Sequence, residues 1–244
     1  MRERLDGFLA RAGLGSRSDA KRLIRQKRVR VAGEICNDPG RILRGEEVVF
    51  DGRVVEAPPE VLHLVMHKPA GYSCSHDSRE APLVYDLLPR LFALAGPETV
   101  GRLDRETTGL LVLTTDGTLV HQLTGPKKRI AKRYRVRYEG RMPEDAPARF
   151  AAGFLLDGDE QPTLPADLRI DEVSAAGGRA TVVLRQGRYH QVRRMFAQFG
   201  ALVVDLHRDR MGGLDLPADL AVGAVRPLDE PELTSLCLAD PDLG

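Results

Sequence analysis

Residues 101–110 read GRLDRETTGL and run directly into the apolar stretch LVLTT. A single carboxylate, Asp104, stands between Arg102 and Arg105 in a polar, glycine-bounded loop that feeds a strand. Loops carried by a rigid sheet are where catalytic side chains concentrate, and a carboxylate so placed can act as nucleophile or base. The same string also reads as a solvated salt-bridge turn. Two further groups have chemistry-bearing composition. One is Lys132-Arg133-Tyr134, at the head of a strand; the other is GRYHQVRRMF at residues 187–196, which opens a helix with tyrosine, histidine, glutamine and two arginines.

These groups need elements to hold them. TGLLVLTT, closed by Asp116-Gly117, reads as the buried strand that the Asp104 loop enters. AKRYRVRYEG alternates with period 2, setting Arg133, Arg135 and Arg137 on one face and Tyr134, Val136 and Tyr138 on the other. On the residues alone, Tyr134 is a core aromatic. QVRRMFAQFG is a compact helix stopped by Gly200, with Val192, Met195, Phe196 and Phe199 as its apolar stripe. At about 100° per residue, Arg194 points away from that stripe and Arg193 lies at its edge, half-buried and aimed into a cleft. Two arginines in a first turn oppose the helix dipole at roughly 0.3–1 kcal/mol each, which a partner carboxylate would offset. LHLVMHKPAGY enters as a strand ending at Lys68-Pro69, and RATVVLRQG is another strand. The pattern predicts an α+β domain over residues 62–244, a mixed but mainly antiparallel sheet with flanking helices.

Upstream lies a smaller α/β unit, residues 1–56. Leu5, Phe8, Leu9 and Ala12 predict an amphipathic helix of about three turns, broken by Gly13 and Gly15. Ser16 caps a second helix with Asp19 three positions on. Ala20, Leu23 and Ile24 form its buried stripe, and Arg17, Lys21, Arg25 and Arg28 a continuous basic ridge. VRV, a turn at Ala32-Gly33 and a hairpin VVF-DG-RVV follow. The proline pair in Glu56–Glu60 favours an extended spacer, so residues 57–61 are read as the linker.

Composition excludes several classes. The 244 residues carry a net charge of only +1, but residues 1–45 hold twelve Lys or Arg against five acids, and residues 126–141 eight against one. From Asp205 onward the chain is acidic, with nine carboxylates against three arginines. Concentrated positive patches on a near-neutral chain suggest a bound polyanion. No apolar run approaches the roughly 20 residues of a membrane span, and the charged N-terminus does not resemble a secretory signal. Cys36, Cys74 and Cys237 are odd in number and widely spaced, which fits reduced thiols in the cytoplasm and neither disulfides nor zinc. His63 and His67 fall on a strand and are not read as metal ligands.

GRLDRETTGL resembles the active-site loop of the RsuA-like pseudouridine synthases, in which the aspartate of G-R-L-D-x-x-T-[ST]-G is catalytic; the resemblance assigns that role to Asp104. Residues 2–55 resemble the S4 RNA-binding domain, which would lay Arg17, Lys21, Arg25 and Arg28 along RNA phosphates. The resemblance further implies that Tyr134 lies against the target base and that Arg193 forms an ion pair with Asp104. Arg102 would fill the gap left by the extruded nucleotide or hold its flanking phosphate. Lys132, Arg133, Tyr189, His190, Gln191 and Arg194 are the remaining expected RNA contacts. Two positions depart from the family pattern: Lys27 stands where the S4 domain usually has glycine, and His67 where asparagine usually precedes Lys-Pro.

GRYHQVRRMF and LHRDRMGG point to the branch acting on small-subunit rRNA, since large-subunit relatives more often have asparagine at the place of Tyr189. The expected activity is isomerisation of a uridine to pseudouridine in 16S rRNA or a small-subunit assembly intermediate, by a cytoplasmic monomer. Nothing is oxidised and no group leaves, so neither cofactor nor metal is expected. The alternatives are a synthase acting on 23S rRNA and a non-catalytic S4-type assembly factor. A pure binder has no use for an isolated carboxylate on a basic surface, which favours catalysis.

Overall fold

The computed structural model describes residues 2–125 and 128–238. Pro126 and Lys127 of the basic stretch, and Asp240 and Asp242 of the acidic one, lie outside the described residues. The chain divides into two compact units, one holding the residues up to Leu62 together with Leu88–Pro97, the other His63–Leu87 and the residues from Glu98 onward.

In the first unit, helices Leu5–Arg11 and Arg17–Arg25 pack over short strands. Leu5, Leu9, Ala20, Ile24, Val29 and Val31 are fully buried between them, and each large side chain so buried contributes about 1.5–3 kcal/mol. The first helix has two turns, one fewer than its periodicity suggests, because the chain leaves it at Ala12 and turns at Gly13 with φ +81°. A Cβ on Gly13 would stand 2.7 Å from Leu94 Cδ2. That close approach ties the Leu88–Pro97 stretch to this unit, whereas the sequence pattern ran the second domain unbroken from residue 62. Ser16 and Asp19 form the expected capping box, the side-chain oxygen of Ser16 accepting from Asp19 N–H at 3.2 Å and Asp19 reaching back to Ser16 N–H at 3.1 Å. Lys27 has φ +61°. This left-handed backbone is the physical reason for glycine at such a position, so the lysine there brings strain as well as charge. The Val48–Phe50 and Arg53–Val54 strands close through Asp51-Gly52, both at positive φ, as a two-residue turn of the expected kind.

The second unit is built on a nine-stranded sheet. Its main path runs Asp167–Val173, Gly177–Leu184, Lys132–Glu139, Leu202–Met211, Thr108–Thr114, His63–Lys68 and Val225–Pro227. Every neighbouring pair on this path is antiparallel except Leu202–Met211 with Thr108–Thr114, which is parallel. The fold is therefore α+β. Along Lys132–Glu139 the period-2 reading holds: Tyr134, Val136 and Tyr138 are buried while Arg135 and Arg137 are exposed. The Gln191–Ala197 helix buries Val192, Met195 and Phe196, with Phe196 5.4 Å from the Tyr138 ring centroid.

Two of the three arginines on the face of Lys132–Glu139, Arg133 and Arg135, are not free. Arg133 Nε donates to Asp209 at 2.8 Å and its Nη2 to Asp215 at 2.9 Å, while Arg135 Nε donates to Asp209 at 2.7 Å. The acidic C-terminal stretch neutralises Arg133 and Arg135 by folding beside them.

Candidate active site

The parallel junction places the Asp104 loop. Only His207 with Thr108 and Arg208 with Gly109 are in register there, so the two strands meet where the loop becomes a strand. Gly109 has φ +107°, and a Cβ on it would stand 2.1 Å from Arg208 O. No other residue allows that approach. Arg208 is 1% exposed, and its Nε donates to Leu110 O at 2.9 Å, closing the junction from the opposite strand.

The loop is fixed a second time by Lys68, whose side chain is fully buried at the end of His63–Lys68. Its ammonium donates three hydrogen bonds to carbonyl oxygens: Pro69 at 3.0 Å, Arg105 at 2.9 Å and Thr107 at 2.8 Å. All three of its donors are thus used. Burial pulls the Lys68 ammonium below the usual lysine range, opposed by the carboxylates of Glu106 and Asp104. Gly71 N–H donates to Arg105 O at 2.9 Å, and Arg105 Nε donates to Gly71 O at 3.0 Å. Thr107 N–H donates to Asp104 O at 3.0 Å, completing the turn. Sequence reasoning passed over Lys68 except for the residue before it. The available signal was a lysine ending an otherwise buried apolar strand, which needs acceptors to be tolerated.

A cleft of about 640 Å³ opens over this loop. Asp104, Arg102, Tyr134, Tyr189 and His190 all line it, together with Cys74. Tyr134 is both things the sequence allowed, a buried aromatic and a wall of the cleft. The register slips between Arg133 and Tyr134 against the neighbouring strand, a bulge beside the ring. Burial pushes the Cys74 thiol up, so it is protonated at neutral pH.

Asp104 does not pair with Arg193. Its cationic neighbour among the described residues is His190, whose Nε2 lies 3.7 Å from Asp104 Oδ1 and forms an ion pair when the ring is protonated. His190 has φ +49°, uncommon for a non-glycine residue, and its ring stacks on Tyr189 with centroids 3.8 Å apart. Arg193 instead donates from Nη1 to Val203 O at 2.8 Å. It is half-buried as expected, but it faces the Leu202–Met211 strand.

Other expected contacts are also placed differently. Gln191 is buried, its Oε1 accepting from Arg188 N–H at 3.0 Å. Arg194 is half-buried and spans to Asp157 O at 2.7 Å and Asp159 Oδ1 at 2.6 Å, so the helical-wheel projection to solvent does not hold. Arg133 is taken up by Asp209 and Asp215, and Lys132 lines a separate pocket. In the first unit, Arg17 and Lys21 both reach the buried Asp6, at 3.2 and 3.9 Å. Hydrogen bonding from Arg4, then Arg17, holds that carboxyl down at about 2 against the opposing effect of burial. Arg28 Nε donates to Asp51 at 3.0 Å, and its guanidinium sits 4.7 Å from the Phe50 centroid. Arg25 is exposed, at the end of its helix.

Comparison with known proteins gives two family matches: RNA pseudouridylate synthase over residues 62–198 and the S4 domain over residues 3–49. The chain is 39% identical over 234 residues to ribosomal small subunit pseudouridine synthase A of Escherichia coli strain K12, covering 96% of this chain and 99% of that protein. It is 37% identical over 236 residues to the protein of the same name from Haemophilus influenzae, again covering 96% of this chain and 99% of the relative. A crystal structure of a pseudouridylate synthase aligns at a TM-score of 0.66 with 37% identity, covering 96% of this chain and 99% of that one.

Proposed function

This chain belongs to the RNA pseudouridylate synthase family, and from that premise we propose that it isomerises one uridine of small-subunit (16S) rRNA to pseudouridine, with Asp104 as the catalytic carboxylate. The family's reaction breaks the N1–C1′ bond, turns the uracil within the site and joins C5 to C1′; the hydrogen on C5 leaves as a proton and N1 gains one. Asp104 works on the ribose, as nucleophile at C1′ or as base, and both roles need an ionised carboxylate held still. The observation that carries the reading is a loop pinned by Lys68, which presents Asp104 to a cleft shared with Tyr134, Arg102 and His190.

The remaining roles follow from position. The base has to leave its stack, at a cost of a few kcal/mol, and Tyr134 offers a ring for the uracil to lie against. Arg102 is exposed at the rim of the cleft and takes the space or the phosphate beside the extruded nucleotide. Tyr189 and His190 stack on one another in the same cleft, with His190 beside Asp104. Arg17, Lys21, Arg25 and Arg28 of the S4 module hold RNA phosphates and give affinity without sequence choice. Among the described residues no helix is long and apolar enough to cross a membrane. The chain works as a monomer in the cytoplasm, on 16S rRNA or an assembly intermediate in which the site is still open.

Pseudouridine mapping of rRNA from cells with and without this gene, by carbodiimide-dependent reverse-transcription stops, tests the reading. Loss of one site in 16S rRNA is expected. Loss of a 23S site instead would overturn the choice of substrate, and no loss in any rRNA would overturn the substrate class.

A further inference from the structure

A second pocket, of about 430 Å³, shares Gly187 and Arg188 with the cleft over Asp104. Its walls include Arg129, Lys132, Arg185 and Gln186, and among the described residues no carboxylate lines it. Lys132 is half-buried, and its one hydrogen-bond partner among the described residues is Ile130 O at 3.0 Å. An ammonium has three donors, so two are left for something else. Gln186 presents a buried Nε2 with no partner among the described residues. Arg129 is exposed and makes no hydrogen bond or ion pair within the described chain. Arg185 gives Nη1 to Asp167 at 3.2 Å and keeps its remaining donors. Arg188 is already committed to Asp159, Gln161 O and Pro162 O, so it shapes the wall and donates nothing inward.

Uncompensated donors around a recess with no carboxylate among its described lining residues are the signature of an anion site, since buried polar groups are ordinarily satisfied. We propose that this pocket holds a backbone phosphodiester of the RNA strand, adjacent to the nucleotide bound at Asp104, with Lys132, Arg129, Arg185 and Gln186 as its donors. This rests on the reading of the chain as an RNA-modifying enzyme and adds a subsite to it. The wall shared through Gly187 and Arg188 makes the two pockets successive stations on one strand. Burial together with the nearby Arg208 guanidinium already weakens the hold of Lys132 on its proton; a phosphate would reverse that.

The test measures binding of the full-length chain to a 16S rRNA transcript across a range of KCl concentrations. Wild type is compared with Arg129→Gln, Lys132→Gln and Lys132→Arg. Removing one cation from an RNA phosphate lowers the slope of log affinity against log salt by about 0.7–0.9. A drop of that size in Arg129→Gln and Lys132→Gln, restored by Lys132→Arg, is expected. Equal slopes in all four proteins overturn the subsite. Arg129 is exposed, so its variant decides the matter even if Lys132→Gln does not fold. Inorganic phosphate at constant ionic strength separates a free-anion site from an RNA one. If it competes with RNA in wild type and not in Arg129→Gln while the salt slopes coincide, the pocket takes free anions and the proposal fails. Pseudouridine formation in the same transcript is scored separately, so a chain that isomerises uridine but shows equal slopes loses only the subsite.

Discussion

Lys68 donates a 2.9 Å hydrogen bond to the carbonyl oxygen of Arg105, the residue that directly follows Asp104. With further bonds to Pro69 and Thr107, one buried ammonium from the adjacent strand fixes the turn on which the carboxylate stands. A loop held this way keeps Asp104 in place through its backbone, so that its side chain, with His190 Nε2 3.7 Å away, faces the cleft. Displacements of about an ångström at a reacting group are costly to rate.

Lys68→Met keeps much of the side-chain volume and removes the donors. The buried carbonyl of Thr107 then loses this donor, as do the part-buried carbonyls of Pro69 and Arg105, although Arg105 O keeps the Gly71 N–H; each that stays unsatisfied costs about 1–3 kcal/mol. We expect thermal unfolding to show a destabilisation of about 3 kcal/mol, and turnover to fall more than RNA affinity. A variant as stable and active as wild type would mean the loop is held by its own turn.

Gly109 and Gly71 both have positive φ, at +107° and +84°, but only Gly109 faces a neighbour: Arg208 O, 2.1 Å from the site of a Cβ. Gly71→Ala meets nothing within 4 Å and bears mainly the left-handed penalty, about 1–2 kcal/mol. Gly109→Ala must also push the strands apart, and roughly 3–5 kcal/mol is expected from denaturant unfolding. Equal destabilisation by the two variants would mean that this glycine is not what permits the parallel junction.

Arg193 reaches Val203 O with a single donor, and a lysine can replace that contact. Arg193→Lys should therefore keep activity within about threefold and leave thermal stability little changed, because no planar fork is in use there. A decrease above about a hundredfold in a stable variant would place Arg193 against Asp104 once RNA binds.

Lys132 is pulled down from 10.5 to about 8 by burial first and by Arg208 second. The folded chain thus loses this proton near pH 8, while the unfolded chain keeps it until about 10.5, so this group favours folding more as pH rises between those values. Binding has the opposite sign, because a phosphate prefers the charged form. Arg129, Arg185 and Arg188 line the same pocket, with Asp167 paired to Arg185 and Asp159 to Arg188. RNA affinity should fall by up to about tenfold from pH 7 to pH 9, and Lys132→Arg should flatten that fall. A profile identical in wild type and Lys132→Arg would assign the pH dependence to another group.

Much of the fold was legible because local signals agreed with tertiary need. Ser16-x-x-Asp19, the Asp51-Gly52 turn and the alternation of Tyr134, Val136 and Tyr138 each state a local geometry, and the packed structure retains it. Asp104, Arg102, Tyr134, Tyr189 and His190 reach one cleft, as the loop and helix motifs implied. What could not be read is where a long side chain ends once strands pair. Arg133 and Arg135 look like a basic face until Asp209, some seventy residues away, arrives beside them. Arg194 points outward on an isolated helix, but Asp157 and Asp159 sit beneath it. Lys68 appears ordinary until two carbonyls from the Asp104 loop, with that of Pro69, surround it. Lys27 was legible as a departure from the S4 pattern, although its cause, a positive φ, became visible only in the backbone.

The most direct test of the central claim is single-turnover pseudouridine formation by Asp104→Asn on a 16S rRNA transcript, with affinity for the same RNA measured alongside. The substitution keeps the side chain's size and removes its charge. The account predicts a rate at least about a thousandfold below wild type with RNA affinity within a factor of about three. Turnover near the wild-type rate would contradict it and place the catalytic carboxylate elsewhere in the cleft.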